Sequence, residues 1–374
     1  MVIATSPFPS DLPEVTVVGS PADGRVAAFQ AALATRGLRR AAVLDYTALE
    51  RANRRAGLVR FESPSRAQRV RAALYRFGGA PYAAEGGSPL LGRSLEAALS
   101  DVGRIGCPRQ FQLGLMEAMS RVVADRFMNH PDEIALAFDK PRCQALLDAR
   151  GIPVPFQLGI VRSYDDLRDR MTAHRMSRVF IKLRHGSAAS GIVAFEVQAD
   201  REHAWTTAEL TERSGQPVLY NTRAIRRHRQ RSAIGPLVDA LCKHEVYVEQ
   251  WVPKASLGEA TCDLRVVLTA GAPTHWVLRA ARCPFTNLHL GGERYDAAVL
   301  RSRMSSTSWL NLVQTCRAVG RAFPRSLYLG LDVAVTRDLR RHAVLEVNAF
   351  GDHVKGVLAG GKTPHEFQVE ALCL

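Results

Sequence analysis

The 374-residue sequence lacks any stretch of about 18 uncharged apolar residues, the length needed for a membrane-spanning helix. Residues 1–12 contain no basic segment followed by an apolar one, so we expect no secretory signal. The seven cysteines are scattered and never form a Cys-x-x-Cys pair, which argues against a disulfide framework and a zinc site. These absences predict a cytoplasmic protein with reduced thiols and no membrane partner.

Acidic residues are in the minority, with 36 Asp and Glu against 50 Lys and Arg, and the formal net charge is +14. Such an excess favours an acidic partner, whether nucleic acid, an anionic peptide or a phosphorylated ligand. A basic, solvated surface explains the same charge equally well. With 47% hydrophobic residues the chain has the composition of a globular protein, and its length indicates two or three structural units.

The beginning of the chain has β-α-β patterning, with a helical stretch at 24–36 between apolar runs at 14–19 and 41–46. We therefore expect a small open parallel sheet that extends to about residue 115. An amphipathic stretch predicts a helix over 110–128, and a second helix is predicted at 140–150.

The rest of the chain is rich in short β-branched runs. Near the end, Thr363-Pro364-His-Glu366 is a capping box with proline at the first helical position, which predicts a C-terminal helix. The predicted strands are 179–182, 192–195, 245–252, 263–268, 275–279, 331–335 and 343–347.

The strongest chemical signal consists of Asp332, Glu346 and Asn348. Strand alternation places Glu346 and Asn348 on one face and Leu345 on the other, and Asp332 can reach them from a neighbouring strand. Magnesium prefers hard oxygen ligands and usually takes one or two carboxylates in proteins. The trio therefore predicts a magnesium site, with a polar face on an exposed sheet as the alternative.

Several motifs occur in an order that resembles the ATP-grasp superfamily, nearest to the branch of the ribosomal-protein glutamate ligase. The resemblance covers roughly residues 129–351. The matching features are an Asn129-led segment ending in Asp139-Lys140, Lys182 before the small-residue loop 185–191, Glu249 on a hinge strand, Asp263-Leu-Arg265, Arg279, Asn287-Leu-His-Leu-Gly-Gly292, and the trio Asp332, Glu346 and Asn348.

The resemblance implies an α/β (α+β) ATP-grasp fold. We expect an N-terminal open parallel α/β domain at 1–115, a central subdomain with a lid loop at 116–250, and a mainly antiparallel C-terminal subdomain with the metal site at 251–374.

The resemblance also implies roles for individual residues, with ATP and Mg²⁺ as cofactors. Lys140 and Lys182 would contact the phosphates of ATP, while Glu249 and the backbone near Val252 would hold the adenine edge and the ribose. The expected nucleotide-binding set also contains Asp263 and the loop residues His185, Gly186, Ser187 and Gly191.

The expected catalytic set is Arg265, Arg279 and Asn287, and Arg279 would stabilise an acyl-phosphate intermediate. Asp263 and Arg265 lie on one strand face and, as an alternative, form a structural ion pair. The metal set Asp332, Glu346 and Asn348 would hold two magnesium ions, with Glu346 as the bridge.

The function that follows is an ADP-forming ligase that joins the carboxylate of an amino acid or peptide to an amine through an acyl phosphate. Two alternatives remain open. One is ester formation on a precursor peptide, because the Asp-x-Arg step also resembles peptide-modifying macrocyclases. The other is a non-catalytic, nucleotide-responsive protein that recruits an acidic partner.

Five arginines in nine positions form a basic run, residues 223–231. A charge run is usually a solvated face. The alternative is a docking site for an acidic peptide, a phosphorylated substrate or RNA, because guanidinium groups pair well with carboxylate and phosphate. No aromatic residues are interleaved with the arginines, which disfavours nucleic acid. The run, Pro284 and His353 depart from the family pattern, so the resemblance does not name the substrate. The arginines are Arg223, Arg226, Arg227, Arg229 and Arg231.

Overall fold

The computed structural model describes residues 14–50, 54–64, 67–78, 99–199, 201–213, 215–351 and 354–373. The expectation for residues 1–12 concerns a segment outside this part of the chain. The described residues form three sheets that follow one another along the chain. In that part of the chain, no helix is long and apolar enough to cross a membrane.

The first sheet is open and fully parallel, with the strand order β2-β1-β3-β4, as the β-α-β pattern predicts. Helices on this sheet bury their apolar side chains against the strands. The elements are β1 (Val15–Val18), α1 (Gly24–Thr35), β2 (Ala42–Leu44), β3 (Arg54–Phe61), α2 (Gln68–Phe77), α3 (Pro108–Ser120) and β4 (Val122–Phe127).

The prediction of one helix over 110–128 is wrong in its second half. Helix α3 ends at Ser120, and the chain enters β4, which pairs in parallel with β3. Val122 and Val123 favour a strand, and pairing along β3 satisfies the β4 backbone, so tertiary contacts override the amphipathic pattern. The sheet therefore extends past residue 115.

The second sheet is antiparallel, with the order β5-β10-β6-β7-β8-β9. Strands β6 and β7 flank the small-residue loop 185–191, as the sequence predicts. The elements of this part are α4 (Pro131–Phe138), α5 (Lys140–Ala149), β5 (Gln157–Val161), α6 (Tyr164–Ala173), β6 (Arg178–Leu183), β7 (Val193–Gln198), β8 (Arg201–Arg213), β9 (Gln216–His228), α7 (Arg231–Cys242) and β10 (Val246–Gln250).

The third sheet is also antiparallel and has the order β14-β13-β12-β15-β16, with β11 paired to β12. The predicted capping box at the C-terminal helix is present, since Thr363 and Glu366 exchange bonds. The elements are β11 (Ser256–Leu257), β12 (Ala260–Thr269), β13 (Ala272–Ala281), β14 (Glu293–Asp296), α8 (Ala298–Arg301), α9 (Ser306–Ala322), β15 (Tyr328–Val335), β16 (His342–Asn348) and α10 (Pro364–Leu372).

A buried arginine on β3 ties the first sheet to the third. The guanidinium of Arg60 lies between the rings of Phe29 and Tyr328, at 4.5 and 4.4 Å from their centroids. Its Nε donates to Glu62 at 2.6 Å, and its Nη1 donates to Gln368 of α10 at 2.8 Å. Arg60 therefore joins α1, β15 and α10 around one charge.

Replacing Arg60 by alanine should lower the free energy of unfolding by about 3 kcal/mol or more, because the Glu62 carboxylate would lose its closest cation in a buried site. Urea denaturation measures the loss. Arg55→Ala is the matched control on the same strand; its pair with Asp125 is exposed and should contribute less than about 1 kcal/mol. Equal losses in the two variants would contradict this account.

Candidate active site

A cleft of about 770 Å³, including its part open to solvent, lies between the second and third sheets. One wall comes from β6, β10 and the loop 185–191, and the other comes from β12, β13, β15 and β16. Most of the residues singled out from the sequence line this cleft: Lys140, Lys182, Gly186, Ser187, Glu249, Val252, Asp263, Arg279, Asn287, Asp332 and Glu346.

The other predicted site residues are not among the cleft-lining residues. Arg265 lies behind Asp332 and forms an ion pair with it. His185 is buried, with its Nε2 3.8 Å from a Glu245 carboxylate oxygen. Gly191 packs against Leu183 at the end of the loop. Asn348 is opposite Gly330, two residues beyond Glu346 on β16. His353, one of the departures from the family pattern, lies outside the described residues.

The two carboxylates of the predicted metal trio face each other across β15 and β16. Asp332 is the direct register partner of Glu346, and residues opposite each other in a sheet point to the same face. A bulge follows, because Val333 pairs with Val344 and leaves Leu345 without a register partner. The expectation that Leu345 points away from Glu346 is therefore wrong, and both residues line the cleft.

Two arginines hold the Asp332 carboxylate. Arg265 Nε is 2.6 Å from Oδ1, and Arg279 Nη2 is 3.0 Å from the same oxygen. Burial raises the pKa of Asp332, with Asp263 and Glu346 adding to the rise against the two guanidinium groups. A further cation at this carboxylate would favour its charged form.

Asp263 is the second buried acid of the third sheet. Its carboxylate is held by two other cations: Lys254 Nζ lies 2.7 Å from Oδ2, and Arg279 Nε donates to Oδ1 at 2.9 Å. Thr286 donates to the same carboxylate at 2.5 Å. Burial opposes the charge, but Arg279 and Lys254 hold the pKa of Asp263 well below its ordinary value.

Sequence reasoning missed Lys254 and Thr286, which both line the cleft. Lys254 follows the hinge strand after a proline, and Thr286 precedes Asn287 in a loop. A single lysine and a single threonine carry no periodic signal. Long-range strand pairing brings them to Asp263: Lys254 is bridged to Thr336 after β15, and Thr286 follows β13, which pairs with β12.

The two predicted phosphate-binding lysines are bonded to protein oxygens. Lys182 forms an ion pair with buried Glu249, which also accepts from Tyr247 at 3.0 Å. Lys140 donates to the carbonyl of Gly186 and lies 3.5 Å from a Glu346 oxygen. Burial opposes the charge of Glu346, but Lys140, Lys182 and Arg265 outweigh it and lower the pKa of this carboxyl.

The chemistry of the trio fits magnesium, although the described residues contain no cluster of three His, Cys, Asp or Glu side chains arranged for a metal ion. Asp332, Glu346 and Asn348 offer two carboxylates and an amide on adjacent strands. Among the described residues, the buried side-chain nitrogen of Asn348 has no hydrogen-bond partner, so no donor bond of this amide fixes its orientation. Mg²⁺ binds oxygen and takes its remaining ligands from water and phosphate.

The lid loop, residues 185–191, covers one side of the cleft, and residues 186–190 line it. The carbonyl oxygens of Gly186, Ala188 and Ala189 accept hydrogen bonds from Lys140, His289 and Thr207 respectively. The loop is therefore held by side chains from both walls.

No protein-family model matches this sequence, and no curated protein matches it. Solved structures match nearly the whole fold. The ATP-grasp ligase PsnB, complexed with a minimal precursor, is 16% identical with a TM-score of 0.52, and the match covers 96% of this chain and 99% of PsnB.

Two further structures show the same fold at 13% identity each. D-cycloserine synthetase DcsG gives a TM-score of 0.55, with 96% of this chain and 98% of DcsG covered. The macrocyclase MdnC, bound with the precursor peptide MdnA from Microcystis aeruginosa MRC, gives 0.52, with 96% and 98% covered. The predicted fold is therefore confirmed: an open parallel sheet followed by two antiparallel sheets with a cleft between them.

The pH dependence of stability tests the burial of His185. Burial lowers the pKa of this imidazole to about 4, from 6.5 in an unperturbed histidine. Between pH 6.5 and pH 4, His185 is protonated in the unfolded chain and neutral in the folded protein. Lowering the pH through this range therefore stabilises the unfolded chain and lowers the free energy of unfolding. In the wild type, His185 should lower the free energy of unfolding by about 2 kcal/mol between pH 7 and pH 5. His185→Gln should remove that loss in urea denaturation.

The matched control for this measurement is His174→Gln, a change at an exposed histidine. If the free energy of unfolding of His185→Gln falls between pH 7 and pH 5 as much as that of the wild type, the buried state of His185 is not the cause of the loss.

Proposed function

We propose, with the ATP-grasp fold as the premise, that this protein is an ATP-dependent carboxylate-amine ligase that forms ADP through an acyl phosphate. One observation carries the proposal: the cleft gathers cations around two facing carboxylates, in the arrangement that phosphoryl transfer requires. The cleft-lining cations are Lys140, Lys182, Lys254 and Arg279, the carboxylates are Asp332 and Glu346, and Arg265 pairs with Asp332 from outside the lining.

In this proposal Lys140 and Lys182 bind the phosphates of ATP. Both lysines are already oriented toward the cleft by Gly186 and Glu249, so little ordering is needed when the nucleotide binds. Apolar side chains of the cleft would flank the base near Val252. Transfer of a phosphoryl group to a carboxylate needs charge neutralisation and alignment more than covalent help from the protein.

Asp332, Glu346 and Asn348 would hold Mg²⁺, which supplies neutralising charge and alignment for the phosphates. A structure of PsnB with Mg and ADP supports this choice of cofactors. Arg279 lies between Asp263 and Asp332 and would stabilise the charge that develops on the acyl phosphate. Asn287, on the same wall, would help to position the reacting carboxylate.

The proposed substrate is an amino acid or a peptide. PsnB and MdnC are both seen with precursor peptides, which supports a peptide carboxylate. The arginines of the basic run are exposed on β9, at the start of α7 and in the short connection between them. Ile225, within the run, packs in one cluster with Phe180 and Phe285, which line the cleft. We therefore propose that an acidic segment of the substrate binds the basic run beside the cleft.

The first test of this function is magnesium-dependent release of ADP from ATP, screened over amino acids, dipeptides and acidic peptides. Glu346→Gln should lower kcat by about 100-fold or more, because a charged group that acts in the transition state is lost. Glu293→Gln, a change at an exposed carboxylate on β14, is the matched control and should leave turnover unchanged. Full activity in Glu346→Gln, or AMP in place of ADP, would overturn the proposal.

The product distinguishes amide formation from ester formation. Base treatment followed by mass analysis should leave an amide intact and hydrolyse an ester.

The basic run is tested with the double change Arg226→Ala and Arg227→Ala. Loss of two cations at the proposed binding surface should raise KM for an acidic peptide by about 10-fold at low salt and leave kcat nearly unchanged. Arg39→Ala with Arg40→Ala removes the same charge from exposed positions on the first sheet's side of the molecule and is the matched control. Equal effects of the two double changes would mean that only net charge matters.

A further inference from the structure

The lid loop turns through two alanines in the left-handed conformation. The Ser190 amide donates to the Ser187 carbonyl at 3.0 Å and closes a four-residue turn with Ala188 and Ala189 at its centre. Their φ angles are 53° and 54°. Two consecutive positive φ angles normally require residues such as Asn-Gly, because a Cβ disfavours this conformation. The two alanines therefore disfavour the backbone conformation that the turn adopts.

Two side chains hold the turn against this strain. Thr207, buried on β8, donates from Oγ1 to the carbonyl of Ala189 at 2.7 Å. His289 contacts the carbonyl of Ala188 through Nε2 at 2.8 Å. A carbonyl oxygen only accepts, so His289 Nε2 is the donor and carries the hydrogen.

These two contacts join different parts of the molecule. Thr207 belongs to the second sheet, as the lid loop does, so its bond stays within one wall of the cleft. His289 lies on the short 3-10 helix Leu288–Leu290, between β13 and β14 of the third sheet. The bond from His289 to Ala188 therefore crosses from one wall to the other.

We infer that His289 is a positioning residue that latches the lid turn shut across the cleft, and that the left-handed Ala188 and Ala189 make the turn reopen when this bond breaks. The role of this latch, which is to hold the lid over ATP, rests on the ligase function proposed above. The latch itself is measurable without turnover, since His289 is exposed and its side-chain hydrogen bond within the described residues goes to the backbone of the turn.

The test uses the full chain with His289→Ala and the conservative variant His289→Gln, whose amide nitrogen is able to donate to the same carbonyl. The probe is Mg²⁺ with AMP-PNP, and calorimetry gives its Kd. His289→Ala should weaken binding by about 5- to 10-fold, the effect of one lost hydrogen bond, and His289→Gln should recover most of the affinity. His174→Ala, at another exposed histidine, should bind like wild type.

A second readout reports the lid without nucleotide. Elastase cleaves after small residues, so its rate of cleavage at Ala188 and Ala189 measures how often the turn opens. Cleavage should be several-fold faster in His289→Ala than in wild type. Changing both alanines to glycine in the His289→Ala background should restore part of the AMP-PNP affinity, because glycine adopts positive φ without strain.

The outcomes separate the latch from the ligase. Equal Kd values and equal cleavage rates in wild type and His289→Ala would overturn the latch and leave the ligase proposal standing. Failure of wild type to bind AMP-PNP would overturn the ligase proposal, and the cleavage rates would still decide whether His289 restrains the lid.

Discussion

The buried carboxylate of Asp332 forms ion pairs with two guanidinium groups, those of Arg265 on β12 and Arg279 on β13. Removing one partner of such a pair leaves an uncompensated charge in a buried site, so the pair strongly disfavours any other register of the three strands. This register puts Asp263 opposite Arg279 and Glu346 opposite Asp332. The charged wall of the cleft is thus built outward from the Asp332 contacts.

The first sheet is joined to the same strands through Asn129. Its side-chain nitrogen donates to the carbonyls of Tyr328 and Ala349, at 2.7 and 2.5 Å, and its oxygen accepts from the Tyr328 amide. Ala349 directly follows Asn348, and Tyr328 begins β15. The asparagine at the start of the ATP-grasp resemblance therefore fixes the ends of the two strands that carry the acidic trio. Arg60 supports the same region by stacking on Tyr328.

The sequence predicts those features that depend on local pattern or on motif order. Strand alternation places Glu346 and Asn348 on one face, and the regular pairing of these residues with Asp332 and Gly330 agrees with it. It fails at Leu345, since a bulge depends on how β15 pairs with β16 and has no signature in either strand alone. Lys254 was missed for a related reason: its partner Asp263 becomes a neighbour only after β12 has formed. Long-range pairing decides both cases.

The cleft is preorganised because oxygen atoms of the protein already hold its cations in place without a ligand. Lys182 is paired with Glu249, which is itself almost fully buried, so the ammonium group is held by a carboxylate that has little access to water. Such a lysine loses little conformational freedom when an anion binds, and its field acts in a site of reduced dielectric. Burying the two charges costs desolvation free energy, which apolar side chains in the same place would not cost. The arrangement therefore costs stability, and that cost supports a role in binding an anion, as in the function proposed above.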